Sequence, residues 1–269
     1  MSLLVVELWM VGRFFKRRMV YDGKKGVCCM SVYDQGDFLE RYRKRRGRKD
    51  SPNNAIEGPI LFELLGDVSQ QRVLDLGCGD ALFGKELLEL GAASYVGVDG
   101  SRQMVDLAME NLAGVDGKVF YGNMEEFAFP ACAFDVVTSR FAIHYVEDVR
   151  ALFQHVHQAL KDDGRFVFSV QHPLTTSSFE SKQSGDQRGN WVVDDYFVEG
   201  RREEPWIEQV VVKYHRTIEE YFRLLISCGF SVVDLREGTP IREHFSSEDE
   251  YKRRLRIPVV LAFACVKKK

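Results

Sequence analysis

Apolar and polar positions follow two periods along this chain, and the order of those periods predicts the fold. Short apolar runs at residues 73–76, 95–99, 118–121, 134–139 and 165–170 have the length of buried strands. Helical spacing of apolar residues separates them, at residues 82–90, 101–112 and 149–160. Strands that alternate with helices in this way pair in parallel, so the pattern predicts an α/β fold with helices on both faces of a doubly wound sheet.

The C-terminal third changes this pattern. A helix is predicted to begin at Thr217 and end at Ser227, and strands are predicted at residues 230–236 and 257–267 with no helix between them. Two consecutive strands without a helix favour an antiparallel pair at the edge. The full prediction is a seven-stranded sheet, mostly parallel, with an antiparallel C-terminal edge strand.

Three segments lie outside the alternation, although residues 31–269 are expected to form a single domain. Residues 1–30 are rich in basic side chains, and we interpret them as a disordered or non-native extension or, alternatively, as an address for an organelle or membrane surface. Residues 31–66 are predicted to be a helical cap, with helices over 31–49 and 55–65. Residues 171–209 carry scattered aromatic side chains and are predicted to form a lid, with one strand at 209–214.

A glycine turn interrupts the first strand-to-helix connection. Gly77 and Gly79 allow close approach of a ligand to the backbone, but Leu82 stands where a dinucleotide fingerprint needs its third glycine. Asp75, two residues before the turn, would repel a diphosphate and suits a cationic or hydroxyl-rich ligand. Asp99 ends the next strand, where a carboxylate accepts hydrogen bonds from ribose hydroxyls.

Residues 73–79 (VLDLGCG) and 96–101 (VGVDGS) together resemble the class I S-adenosylmethionine-dependent methyltransferases. Residues 168–173 and 214–217 are similar to a bacterial, type 11-like branch that acts on small molecules. The resemblance implies a Rossmann-like fold, S-adenosyl-L-methionine as cofactor and S-adenosyl-L-homocysteine as product. Many relatives have a third glycine where this chain has Ala81. The implied cofactor-binding residues are Asp75, Gly77, Cys78, Gly79, Asp99, Gly100, Ser101, Met104, Asn123, Met124, Glu125, Arg140 and Phe141.

The segment Ser139–Tyr145 corresponds to the position that faces the transferred methyl group. It lacks the Pro-Pro signature of enzymes that methylate base amines, and no metal site is predicted. His144 is the first candidate for a general base that deprotonates an acceptor, and His172, just past the fifth strand, is the second. For each histidine the alternative is a packing role.

Charge and composition restrict the function further. The net charge of −3 does not favour nucleic acid, and no apolar run reaches the roughly 20 residues that span a bilayer. Six cysteines without a CxxC pair indicate a reduced, cytoplasmic protein. Seven of the nine residues at 41–49 are basic, which indicates either a phosphate or RNA contact or a solvated helix face.

We therefore predict methyl transfer to O or N of a small-molecule acceptor, by in-line attack on the sulfonium methyl group in a lid-covered site. One alternative is a methyltransferase that acts on RNA or protein. The other is a protein that binds S-adenosylmethionine without catalysis. The oligomeric state is not predicted.

Overall fold

The computed structural model describes residues 31–182 and 190–268, and in residues 1–30 it describes only the backbone of two short paired strands, Val5–Val6 and Met19–Val20. Met1–Met30 and Ser31–Lys269 are two separate units. The predicted extension over residues 1–30 therefore lies, apart from these strands, outside the described residues. Its interpretation stays a prediction.

A seven-stranded sheet forms the centre of the second unit and confirms the predicted fold class. Its strands are β1 Arg72–Leu76, β2 Ser94–Asp99, β3 Gly117–Tyr121, β4 Phe134–Arg140, β5 Leu160–Gln171, β8 Phe230–Arg236 and β9 Val260–Lys267. Their order is β8-β9-β5-β4-β1-β2-β3. Only β9 runs antiparallel, and it pairs with β5 on one side and with β8, the edge strand, on the other.

Helices cover both faces of the sheet because neighbouring residues of each strand point to opposite sides. Leu74 and Val137 pack on the side of α5 (Val149–Ala159) and α7 (Ile218–Ser227). Val73 and Val136 pack on the other side, against α2 (Gly58–Leu65), α3 (Leu82–Glu89) and α4 (Arg102–Asn111). The order of the strands reverses at β1, so a crevice is expected at the carboxyl ends of β1 and β4.

The N-terminal cap differs from the prediction at both of its helices. The predicted helix over 31–49 is a 3-10 turn, Val32–Asp34, followed by α1, Phe38–Arg46. Gly36, with φ of +52°, interrupts it because a left-handed residue cannot continue a right-handed helix. The predicted helix over 55–65 begins earlier, as a π-helical turn at Asn53–Glu57 that continues into α2.

The insertion after β5 contains more regular structure than the sequence predicted. A short helix, α6 (Pro173–Thr176), is followed by an antiparallel hairpin of β6 (Gly200–Trp206) and β7 (Gln209–His215). The sequence pattern missed β6 because its residues are mostly charged and it contains Pro205, which is tolerated in a ribbon with free edges. The role of this insertion as a lid stays a prediction.

A helix between β8 and β9 corrects the expectation that the two strands follow each other directly. This helix, α8, spans Glu248–Arg254 and is capped by Ser247. Three acidic residues in its first turn and three basic residues in its last turn complement the helix dipole. Apolar periodicity could not reveal it because so few of its residues are apolar.

Within the described residues, no helix is both long and apolar enough to cross a bilayer. The four cysteines of this part of the chain, Cys78, Cys132, Cys228 and Cys265, are all free thiols. The cytoplasmic location stays a prediction.

Candidate functional site

The glycine turn between β1 and α3 lies at the crevice. Gly77 and Cys78 both donate backbone hydrogen bonds to the carbonyl oxygen of Val98, at 2.8 and 3.1 Å, which ties the turn to the end of β2. A Cβ atom at Gly77 would lie 2.3 Å from the Cβ of Ala142, so only glycine fits there. A Cβ atom at Gly79 would meet nothing within 4 Å. Gly79 therefore borders open space where a ligand has room.

Asp75 lies beneath this turn and is 1% exposed. Its Oδ2 accepts a hydrogen bond of 2.7 Å from the hydroxyl of Tyr95, whereas its Oδ1 has no hydrogen-bond partner among the described residues. Burial raises the pKa of the Asp75 carboxyl to about 6. Gly84 makes room for the Tyr95 ring, because a Cβ there would lie 2.1 Å from it. Oδ1 of Asp75 is thus a buried acceptor whose hydrogen-bonding capacity the described residues do not use.

Asp99 stands at the end of β2, one strand away. Its Oδ2 accepts from the backbone N–H of Gly79 and its Oδ1 from that of Ser101, both at 2.8 Å. Burial raises the pKa of Asp99, although these two hydrogen bonds oppose the shift. Each carboxylate oxygen can accept a second hydrogen bond, so Asp99 is oriented by the protein and can still bind two hydroxyls.

The start of α4 closes this side of the site. The hydroxyl of Ser101 caps the helix by accepting from the N–H of Met104 at 3.2 Å, and it donates to Asp34 at 2.7 Å. Asp34 also accepts from the backbone N–H of Gln103 at 3.0 Å. Sequence reasoning missed Asp34, since nothing in the sequence links it to a helix that begins 68 residues later. Gly100 is exposed beside this cap, and Met104 is buried.

Residues Asn123, Met124 and Glu125 follow β3 at the same edge. Asn123 accepts from the N–H of Glu125 at 3.0 Å, and Glu125 accepts from the N–H of Glu147 at 3.2 Å. The methyl group of Met124 would lie 3.1 Å from a Cβ at Gly77. Met124 thus lies beside the glycine turn, and the predicted contacts of all three residues with a cofactor stay predictions.

The side chain of Arg140 is engaged by the protein itself. Its Nε donates to both carboxylate oxygens of Glu57, at 3.1 Å each, and its guanidinium lies over the ring of Phe83 at 4.4 Å. Ser169 donates to the same Glu57 at 2.7 Å and accepts from the N–H of Phe141 at 3.1 Å. Glu57 and Ser169 were not predicted, and they hold Phe141 at its φ of +50°. A cofactor contact of Arg140 or Phe141 stays a prediction.

A cavity of about 760 Å³ adjoins this edge of the sheet. Its walls come from α1, the π-helical turn, the end of β4, β6, α8 and the residues around them. The lining residues are Tyr33, Tyr42, Arg45, Arg46, Arg48, Ser51, Pro52, Asn53, Phe141, His144, Tyr145, Gln171, Thr175, Trp191, Glu204, Trp206, Glu250, Arg253, Arg254 and Val259. Arg46 connects the cavity to the glycine turn through Asp80, which it contacts at 3.1 Å.

Aromatic rings pack edge to face along one wall of the cavity. The ring centroids of Tyr33 and Tyr42 are 5.0 Å apart, and the Trp206 ring lies 5.6 Å from Tyr42 and 6.3 Å from Tyr33. Burial raises the pKa of Tyr33, Tyr42 and Tyr145, so all three phenols keep their protons. This wall is a shape-defining apolar surface with neutral hydroxyl groups.

His144 lines the cavity and is 2% exposed. Burial, reinforced by the charges of Lys213 and Arg216, lowers the pKa of His144 well below its ordinary value. Its Nδ1 accepts from the backbone N–H of Gln171 at 3.4 Å. In a neutral ring with Nδ1 as acceptor, Nε2 carries the proton. His144 then carries a hydrogen-bond donor on Nε2, and its predicted role as a general base stays a prediction.

His172 has a different surrounding from the one predicted. Its Nδ1 accepts from the N–H of Leu174 at 3.2 Å, which caps α6, and its Nε2 lies 2.9 Å from Glu237. It does not line the cavity. Both ring nitrogens are engaged within the protein, Nδ1 in capping α6, and the predicted catalytic role of His172 stays a prediction. His215 is similarly engaged, by Thr176 and the carbonyl of Tyr196.

Comparison with known proteins identifies relatives across most of the chain. Residues 73–164 match the model of a methyltransferase domain family. An S-adenosylmethionine-dependent methyltransferase from Mesorhizobium loti is 33% identical, with a TM-score of 0.72 over 78% of this chain and 97% of its own. An uncharacterized protein from Haemophilus influenzae is 34% identical over 77% of this chain and 86% of its own. A malonyl-[acyl-carrier protein] O-methyltransferase from Legionella pneumophila is 30% identical, but over only 47% of this chain and 46% of its own.

Proposed function

This chain belongs to the S-adenosylmethionine-dependent methyltransferases, and from that premise we propose that it transfers a methyl group to O or N of a small-molecule acceptor bound in the cavity. The observation that carries the proposal is the cavity itself. Its volume lies within the range of pockets that enclose small ligands, and Arg46 in its wall contacts Asp80, the residue after the glycine turn, at 3.1 Å.

The residues of the glycine turn fit the cofactor. The free Oδ1 of the buried Asp75 and the open space at Gly79 suit the methionine part, with its ammonium group. Asp99, oriented by two backbone N–H groups, suits the ribose hydroxyls. When bound, the cofactor supplies a methyl group on a sulfonium, which a lone pair of the acceptor attacks in line.

The side chains of the cavity support catalysis by positioning. His144 is neutral with its proton on Nε2, and the three tyrosines keep theirs, so these groups present hydrogen-bond donors to an acceptor. The aromatic wall of Tyr33, Tyr42 and Trp206 excludes water from the acceptor. Alignment and desolvation then supply most of the acceleration, since a neutral thioether leaves without acid assistance.

The insertion contributes to the cavity through β6. Glu204 and Trp206 of this strand line it, and Glu204 forms a buried ion pair with Lys213 of β7. We propose that the hairpin acts as the predicted lid over the acceptor. The hairpin is held to α6 by His215 and Thr176, whose side chains are 2.8 Å apart.

An RNA or protein acceptor is less well supported. The basic run that motivated it is partly neutralised by the chain's own acids, because Arg41 pairs with Asp37 at 2.8 Å and Arg48 with Asp50 at 2.9 Å. Arg46 is paired with Asp80 inside the molecule. A binding protein without catalysis would not need an aromatic cavity beside the cofactor residues.

Two measurements test the proposal in order. Calorimetric titration with S-adenosylhomocysteine should show binding that weakens roughly tenfold to a hundredfold in Asp99→Ala, because a charge-assisted hydrogen-bond acceptor is lost. The exposed Asp106→Ala is the matched control. Transfer of labelled methyl groups is then measured with a small-molecule library, with total RNA and with unfolded protein. Transfer to RNA or protein alone would overturn the proposed acceptor class.

A further inference from the structure

The cavity carries an excess of positive charge. Five arginines and two glutamates line it. Of the glutamates, Glu204 is already paired with Lys213, and both of their side chains are almost fully buried. Arg46 and Arg48 are each paired with an aspartate. Arg45 also has a partner within the protein. The remaining two arginines, Arg253 and Arg254, face a single carboxylate, that of Glu250.

Arg253 and Arg254 share Glu250. The Nε of each arginine donates to this carboxylate at 2.9 Å, and both arginine side chains are largely shielded from water, with exposed fractions of 20% and 13%. Burial and the adjacent charge of Arg253 lower the pKa of Arg254, and Arg48 acts in the same direction. Two guanidinium groups thus face one anion in a partly desolvated place, which favours a second anion beside them.

The position of these arginines is not explained by helix stability alone. Basic residues in the last turn of a helix interact favourably with its dipole, and this accounts separately for the end of α1 and the end of α8. The helix dipole does not explain why basic residues from these two helices, about 200 residues apart in sequence, line the same cavity. Trp191, in the insertion, lies within 5.9 Å of Arg253 and 5.0 Å of Arg256 and adds a flat wall at the same place.

The other wall of the cavity is aromatic rather than charged. Tyr42 and Trp206 present aromatic surface, and His144 lies among Phe141 and Tyr145. A ligand that satisfies both walls needs a charged end and an apolar body. Nε and Nη2 of both arginines already contact Glu250, at 2.8–2.9 Å, so a ligand would be bound by their other N–H groups. Guanidinium N–H groups match the oxygens of either a carboxylate or a phosphate.

We propose that the methyl acceptor is an organic anion, a carboxylate or a phosphate ester, whose charged group is bound by Arg253 and Arg254 and whose apolar body lies against Tyr42 and Trp206. This inference rests on the proposed function, since it concerns the acceptor in the same cavity. It narrows the acceptor to molecules that carry an oxyanion in addition to an apolar group.

The test uses the full chain saturated with S-adenosylhomocysteine and four probes: 3-phenylpropanoate, its neutral amide, phenyl phosphate and inorganic phosphate. Calorimetry should show the carboxylate or phenyl phosphate bound at least about tenfold more tightly than the amide. A preference for phenyl phosphate over the carboxylate would assign the oxyanion to a phosphate ester, and the reverse order would assign it to a carboxylate. Equal binding of acid and amide, or no binding of any organic anion, overturns the proposal.

Substitution of the two arginines tests whether they bind the anion. Arg253→Gln and Arg254→Gln should each weaken binding of the preferred organic anion about tenfold, whereas Lys252→Gln should not. Lys252 is the matched control because it makes the same charge change on the same helix, is exposed and does not line the cavity. Undiminished anion binding in both arginine variants overturns the assignment. If an arginine variant fails to fold, the comparison of acid and amide in the unmodified protein still decides.

The results that contradict an anionic acceptor differ from the results that contradict the proposed function. Protein that binds S-adenosylhomocysteine and methylates neutral small molecules, but shows no preference for anions, contradicts only this inference. Protein that methylates no small molecule contradicts the function itself.

Discussion

The hydroxyl of Tyr95 donates a 2.7 Å hydrogen bond to one oxygen of Asp75, and the other oxygen of that carboxylate has no partner among the described residues. The pair joins β1 to β2 directly beneath the glycine turn. A buried carboxylate with only one of its two oxygens hydrogen-bonded destabilises the protein. Proteins keep such a destabilising group where it binds a ligand. The relationship therefore connects stability to cofactor binding.

The first prediction concerns Asp75→Asn. Because burial raises the pKa of Asp75 from 3.8 to about 6, the folded state binds its proton more tightly than the unfolded state does, and the stability this provides at low pH is lost as pH rises through 6. The variant should exceed the wild type in free energy of unfolding by up to about 3 kcal/mol at pH 8 and by about half of that at pH 5. Urea unfolding at the two pH values measures it.

The same variant should bind S-adenosylhomocysteine more weakly. The exposed Asp106→Asn serves as the control for both measurements. A stability difference that does not change between pH 5 and pH 8 would show that the Asp75 carboxyl is not the titrating group.

The second prediction separates the two glycines of the turn. Gly77→Ala should prevent stable folding, since its Cβ would lie 2.3 Å from that of Ala142 and φ there is +71°. Gly79→Ala should fold with a loss of about 1–2 kcal/mol from its left-handed φ, yet lose cofactor binding because its methyl group enters the open space. Thermal unfolding and titration with S-adenosylhomocysteine measure both effects.

Gly114→Ala is the matched control for Gly79→Ala, because Gly114 also has a positive φ and nothing within 4 Å of its would-be Cβ. It should show a similar loss of stability with unchanged cofactor affinity. Cofactor binding by Gly79→Ala at wild-type strength would contradict the placement of the ligand.

The third prediction concerns Ala81, which caps α3 in a left-handed conformation with φ of +52°. Ala81→Gly should change the free energy of unfolding by less than about 0.5 kcal/mol, because relief of left-handed strain offsets the lost methyl contact and the added chain entropy. Ala108→Gly, equally buried but within α4, should cost about 1.5–2 kcal/mol. Equal losses in the two variants would argue against strain at Ala81.

The fourth prediction distinguishes a donor from a base at His144. Glutamine can accept from the N–H of Gln171 and donate into the cavity, as the neutral ring does, so His144→Gln should lower kcat less than about tenfold. The pKa of His144 lies well below 6.5, so the ring is neutral and kcat should not vary between pH 6.5 and 8 on its account. The measurement is a pH profile of kcat for both proteins with an acceptor from the library. A loss of about a hundredfold or more, together with loss of a pH-dependent limb, would restore the general-base assignment.

The fifth prediction tests the basic run. Arg43, Lys44 and Lys49 are exposed and lie outside the cavity, as does Arg41, which is already paired with Asp37. The triple substitution to Gln should leave the rate and its salt dependence unchanged, because a small-molecule acceptor does not touch them. A rate that falls with the substitution and with added salt would instead favour a nucleic-acid acceptor.

The sequence by itself determined the sheet, the glycine turn and the cofactor class. Each of these can be read from patterns within a short stretch of sequence: apolar runs of strand length, helical periodicity, and two glycines next to an acid at a strand end. Asp75 and Asp99 were identifiable because each lies at or next to the end of its own strand. The sequence pattern did not predict helix α8 or strand β6, because charged residues dominate both elements and the residues that stabilise them lie elsewhere in the chain.

The tertiary structure alone decided how the remaining polar residues are used. Asp34 caps α4, Glu57 holds Arg140, and His172 caps α6, each through partners that the sequence does not indicate. The cavity likewise forms where α1, the segment after β4, β6 and α8 meet, and these elements lie far apart in the chain. A side chain's protonation, hydrogen bonds and neighbours depend on what folding brings against it, and local sequence carries no record of those contacts.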